Sequence, residues 1–219
     1  MHFSKLPFDV FMTKVAALIG DSLSNPDIVT AVSRFGYDKR RIRVGERVLK
    51  DTEKIVGKQN LAQERKIDKH EERRTLMEGV KKKYMKILQI ARIAFDKDNI
   101  ARKALQMDGA RETSLDLWIN QVSVFSNHLL NESNWLGVLK NYGINRKELN
   151  DLLIDVEKLR STAMLCEKSK TEAKKLTEQK QYKIKELQDW VSDYLKIAKI
   201  ALEDNPELYK KLRMNNINE

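Results

Sequence analysis

Residues 90–107, IARIAFDKDNIARKALQM, and residues 197–214, IAKIALEDNPELYKKLRM, agree at seven of eighteen positions without a gap. Exchanges such as Arg92 for Lys199 and Phe95 for Leu202 keep the chemistry at others. The offset between the stretches is 107, and a fixed internal period identifies the repeating unit of a fold. The same offset recurs upstream. RFGYDKRRI, residues 34–42, lies over NYGINRKEL, residues 141–149, which sets Gly36 on Gly143, Phe35 on Tyr142 and Asp38 on Asn145. FDVFM from Phe8 lies over LDLWI from Leu115, with Asp9 on Asp116 and Phe11 on Trp118. Three separated matches at one offset predict two tandem helical repeats, 1–107 and 108–214, packed together as one structural unit and followed by a tail, 215–219.

Composition fixes the class of the unit. Charged residues make up 34% of the 219-residue chain, while Gly and Pro number only 8 and 3, a balance that suits long amphipathic helices rather than turn-rich sheets. An apolar content of 41% suffices for a core without a disulfide, and the single Cys166 has no partner for one within the chain. The expectation is an all-α fold.

Punctuation places the helices. Pro7, Pro26 and Pro206 stand where helices begin, a position at which the missing N–H is not needed, and Asn25 and Asn205 precede two of them as N-cap candidates. Helix A is expected over residues 8–23 and 115–130. A short helix B then ends at Gly36 and Gly143, residues suited to the left-handed position that closes a helix. Asp38 and Asn145 cap the next start, and Glu148 completes a capping box with Asn145.

Beyond these caps lies a long seam. Leu149, Leu152, Val156, Leu159, Ala163, Cys166, Lys170, Ala173, Thr177, Lys180, Ile184, Leu187, Val191, Tyr194, Ala198 and Ala201 keep an alternating three-and-four spacing, as in a coiled coil. The middle of the seam is polar in both copies, with Gln63, Lys66, His70 and Arg73 in the first and Lys170, Thr177 and Lys180 in the second. Two architectures fit this pattern: a turn near residues 66–70, making each copy a four-helix bundle, or two long antiparallel helices that run on without a break. The second would bring Phe95, helix A of the second copy and Asn145 together.

The chain resembles a group of uncharacterised bacterial two-repeat all-helical proteins of about 200 residues. The likeness rests on Tyr142, Gly143 and Ile144, on residues 197–201 with Pro206, and on the first-copy equivalents Phe35, Gly36, Tyr37 and residues 90–94. Similar proteins often have Gly in the middle of the long segment, where this chain is charged. The resemblance supports the fold and carries no activity with it.

Reactive groups are sparse. The only histidines are His2, His70 and His128, none in a Glu-x-x-His pattern, and there is no Gly-rich phosphate loop or nucleophile elbow. The sequence therefore points away from an enzyme and assigns no catalytic, cofactor-binding or metal-ligating residue. The apolar stretch near the N-terminus is broken by Asp9 and Lys14 and does not read as a signal peptide, and no run is long enough to span a membrane. A cytoplasmic protein is expected.

Charge is uneven along the chain. Residues 1–107 hold 24 Lys and Arg against 14 Asp and Glu, whereas residues 108–219 hold 18 of each. Arg40, Arg43, Arg47, Lys50 and Lys54 recur at spacings of three and four beside the apolar line Ile42, Leu49 and Val56, with Lys81, Lys82, Lys83 and Lys86 downstream. The leading expectation is a non-catalytic interaction or scaffold protein with a protein partner or self-association. Its rivals are nucleic-acid binding through Arg40, Arg43, Arg47, Lys50 and Lys54, and a coiled-coil assembly protein that completes its seam with another chain. The stripe itself contains no aromatic residue for base stacking. Membrane binding and cofactors are not expected.

Overall fold

The computed structural model describes residues 6–217, with side chains described through Leu212. Eight helices and no strand occur among the described residues: α1 (Phe8–Ser24), α2 (Pro26–Ser33), α3 (Lys39–Ala94), α4 (Asn99–Ala104), α5 (Leu115–Asn131), α6 (Ser133–Lys140), α7 (Arg146–Ala201) and α8 (Pro206–Ile217). Each of α5 to α8 begins 107 residues after its counterpart, and α3 and α7 are each 56 residues long. Of the tail, residues 215–217 continue α8, while 218–219, like His2, lie outside the described residues.

The expected caps are in place. Asn25 Oδ1 accepts from the backbone N–H groups of Asp27 and Ile28 ahead of Pro26, and Asn205 Oδ1 accepts from Leu208 N–H beside Pro206. Asp38 Oδ1 accepts from Arg41 N–H at 2.8 Å. Asn145 Oδ1 accepts from Lys147 N–H while Glu148 Oε2 accepts from Asn145 N–H, the reciprocal capping box. Gly36 (φ 82°) and Gly143 (φ 78°) supply the left-handed turn. Tyr37 N–H then donates to Val32 C=O and Ile144 N–H to Leu139 C=O, which closes α2 and α6 in Schellman motifs.

Of the two architectures open to the sequence, the hairpin does not form. Residues 66–70 are helical, and α3 and α7 run unbroken and pack antiparallel. The polar middle contains no turn chemistry. It is built from strong helix formers, and Lys69–Glu72, Arg74–Glu71 and Lys170–Glu167 pair at i,i+3 spacing along the helix surface. No position from 63 to 79 is buried. Half-buried Gln63, Lys66, Lys69, Arg73 and Leu76 carry the seam through this stretch, so Lys69 takes the place expected for His70, which is exposed.

The chain folds into two compact units. The first comprises residues 1–62 and 172–219, the second residues 63–171, so each draws on both halves of the sequence. In the first, Phe11, Val15, Leu18 and Ile19 of α1 join Ile28, Val32, Ile42 and Leu49 in a core with Leu187, Val191, Tyr194 and Ala198 of α7. In the second, Tyr84 meets Trp118 and Phe125 edge-on, and Phe95 and the buried face of α5 share one core with Ile144, the residue before the Asn145 that the sequence places there. Full burial of such side chains is worth about 1.5–3 kcal/mol each. Each unit carries 21 Lys and Arg against 16 Asp and Glu, so the imbalance between sequence halves becomes +5 in each unit.

Two contacts in the first unit are specific. Tyr194 Oη donates to Ser22 Oγ at 2.6 Å, and burial pushes its pKa up to about 12. Trp190 stacks on Tyr194, with ring centroids 5.3 Å apart, and lies against the backbone of Gly45, where an added Cβ would stand 2.3 Å from the indole.

Tyr194 makes stability depend on alkaline pH. The phenol is neutral in both folded and unfolded chains below about pH 10, and between about pH 10 and 12 only the unfolded chain loses its proton. Stability is therefore complete below pH 10 and falls by about 2–3 kcal/mol by pH 12. In urea titrations at several pH values, Tyr194→Phe is expected to lose this alkaline increment and to cost about 0.5–1.5 kcal/mol at neutral pH through the lost hydrogen bond.

Two glycines of α3 should respond with opposite sign. Gly45→Ala forces a methyl into Trp190 and is expected to destabilise by about 1–3 kcal/mol. Gly57 has nothing within 4 Å of an added Cβ, so Gly57→Ala should stabilise by about 0.5–1 kcal/mol. Chemical denaturation of the two variants beside the parent checks both.

Candidate binding cleft

Arg40, Arg43, Arg47, Lys50 and Lys54 are all exposed on the part of α3 that belongs to the first unit. At about 100° per residue they fall within about 80° of one another. Their midline lies about 160° from that of the buried positions Ile42, Gly45, Leu49 and Thr52. The stripe is thus on the back of the helix and does not flank the apolar line. Lys50 is engaged by Glu46 at 2.6 Å, and this hydrogen bond, with Lys50's charge, holds the Glu46 carboxyl below its usual range. Lys81, Lys82, Lys83 and Lys86 belong to the second unit.

Of the stripe, Lys54 lines a cleft between α3 and α7. In the first unit α3 and α7 pack in antiparallel register, with Thr52 Oγ1 donating to Lys183 C=O at 3.3 Å and Lys180 Nζ to Gln59 Oε1 at 3.4 Å. On one side of this seam the helices leave an open cleft of about 640 Å³. Asp51, Lys54, Ile55 and Lys58 line it from α3, and Lys175, Glu178, Gln179, Tyr182 and Lys183 from α7. Four ammonium groups thus face two carboxylates. Lys183 donates to Glu186 at 2.7 Å, and that hydrogen bond raises its pKa, with Asp51 adding to the effect. Among the described residues no ion pair occupies Lys54, Lys58 or Lys175. Tyr182 is 68% exposed.

The helix pair does not require this cation set. At the offset of 107, Lys54 and Lys58 correspond to Ser161 and Leu165, Lys175 and Lys183 to Asp68 and Leu76, and Tyr182 to Thr75. The equivalent helical frame of the other unit is therefore built without one of these lysines or the tyrosine, and has Lys158 where the cleft has Asp51.

No protein-family model, curated protein or solved structure matches the chain.

Other polar clusters are committed to structure. A cleft of about 250 Å³ in the second unit is lined by Lys83, Lys86, Glu148 and Asp151, but Lys83 is ion-paired with Asp155 and Glu148 closes the capping box. Ser126 donates to Val122 C=O, and Arg111 donates to Tyr84 Oη and to two backbone carbonyls. Among the described residues, no group of three or more His, Cys, Asp or Glu side chains is placed to hold a metal ion. His70 is exposed beside Arg73, and His128 is exposed on α5. Cys166 is buried. No described helix is long and apolar enough to cross a membrane.

Sequence reasoning selects Lys54 and misses Lys58, Lys175, Tyr182 and Lys183. These residues are separated by more than a hundred positions and meet only because α3 and α7 are continuous. Once the hairpin is discarded, the antiparallel register of two unbroken seams is the signal that places residues 51–58 against residues 175–183.

Proposed function

We propose that this chain is a non-catalytic helical interaction protein, a twice-repeated unit with coiled-coil-like seams whose task is to hold an anionic partner. Its relation to the bacterial two-copy helical proteins belongs to the same reading. The observation that carries it is the cation set of the first-unit cleft at positions where the equivalent helix pair has Ser, Leu and Asp. A fold that needed those lysines for its own stability would keep them in both copies. Unpaired ammonium groups on a polar surface cost little to display, and they gain when condensed counterions leave a polyanion.

Lys54 belongs both to the cleft and to the stripe, whose other members run along the back of α3. With a net charge of only +5 per unit, long-range attraction is modest and binding depends on a few local ion contacts, so it should weaken as salt is raised. Retention on a heparin column provides the test. The parent protein is expected to bind at about 50 mM salt and to elute by about 200 mM. The triple variant Lys54→Gln, Lys58→Gln, Lys175→Gln should elute at clearly lower salt with an unchanged circular dichroism spectrum. Identical elution of the two proteins would remove the cleft from this reading.

A further inference from the structure

We infer that the first-unit cleft binds single-stranded nucleic acid, with Tyr182 as the platform on which a base stacks; this rests on the anion-binding reading above. The stripe of α3 lacks an aromatic residue, and the antiparallel register supplies one. Tyr182 of α7 lines the same cleft as Lys54 and Lys58 of α3 and is flanked on its own helix by Lys175 and Lys183.

Its exposure is the informative feature. A tyrosine on a helix bundle ordinarily buries its ring, as Tyr37, Tyr84 and Tyr194 do here, while Tyr142 at the end of α6 is 49% exposed. Tyr182 instead leaves 68% of its surface to solvent, and the equivalent position is Thr75, so the ring fills no place the fold reserves for an aromatic. An exposed ring among unpaired ammonium groups is the arrangement by which single strands are held without sequence preference. The cations take the phosphates and the ring takes a base. Gln179 adds an amide able to donate to and accept from base edges.

Geometry selects a strand over a duplex. Packed helix axes lie about 8–10 Å apart, and a groove between them is too narrow to admit a double helix while an extended strand can lie along it. An acidic peptide would satisfy the lysines but would leave the exposed ring without a stacking partner.

Fluorescence anisotropy with a labelled oligothymidylate of about 20 nucleotides tests the inference on the full chain. Three unpaired lysines should give a slope of log affinity against log salt of about −2. Tyr182→Ala should weaken binding about 5- to 150-fold with the slope unchanged, Tyr182→Trp should restore it, and Lys58→Gln should reduce the slope by about 0.7. Equal affinity of parent and Tyr182→Ala, or displacement of the strand by a duplex or by polyglutamate as readily as by unlabelled strand, overturns it. If heparin is retained through the cleft but the strand binds independently of Tyr182, the anion-binding reading stands and this inference falls. If neither polyanion binds, both fall.

Discussion

The absence of a turn in the middle of α3 and α7 governs how this chain folds. A helix that turned back near residue 66 would have packed each copy on itself. Because neither long helix does so, the first unit is made from the start of one copy and the end of the other, and the second unit from the reverse. The backbone decides this more than the core does. Leaving the helix at residues 66–70 would break backbone hydrogen bonds along a stretch of Lys, Ile, Asp and His with no Gly, Pro or buried contact in return. Remaining helical keeps those bonds and adds surface ion pairs. Between residues 63 and 79, where α3 has only half-buried side chains such as Leu76 and Met77 to pack, propensity adds to continuity.

That choice reassigns the polar residues. A polar seam in isolation describes both a hairpin tip and a solvated stretch of helix, and periodicity does not separate them. The structure resolves it through side-chain size. Ala62 and Ala173 are buried where the seam is otherwise polar, and Cys166, Thr162 and Gln59 are the buried positions next to them. Small and medium side chains allow two helices to approach while the long lysines and arginines on either side stretch out to water. Gly45 applies the same device further along, where the indole of Trp190 crosses the backbone.

Much of the fold is legible in the sequence. The offset of 107, the Pro and Asn starts, the left-handed Gly36 and Gly143 and the Asn145–Glu148 box are local signals, settled within a few residues by backbone sterics and capping. Elements of this kind survive any tertiary arrangement. The cleft is largely illegible, for the opposite reason. Lys54 stands out because it belongs to a run on one helix, whereas Tyr182 and Lys175 look like ordinary surface residues until the partner helix is known. His70 shows the same limit at smaller scale, since a one-residue drift in the phase of a long helix moves the half-buried place to Lys69.

Duplication also separates structural from functional constraint within a single chain. Positions that hold the frame agree across the offset in kind: Val15 with Val122, Val32 with Leu139, Ile42 with Leu149, Ala91 with Ala198, each buried in its own unit. The lysines and the tyrosine of the cleft disagree in kind, a lysine against a serine, an aspartate or a leucine and a tyrosine against a threonine, whereas Glu178 is matched by Glu71. Since the two units share one backbone design, the frame does not demand the second pattern, which is confined to one unit and drawn from both copies. Charge obeys the same logic: the two units carry equal net charge, so what distinguishes the first is how its cations are placed around one exposed ring and not how many it has. On the reading proposed above, a preference of a strand for the first unit over the second has to come from short-range stacking and ion contact in that cleft, because the net charge of the two units offers no discrimination between them.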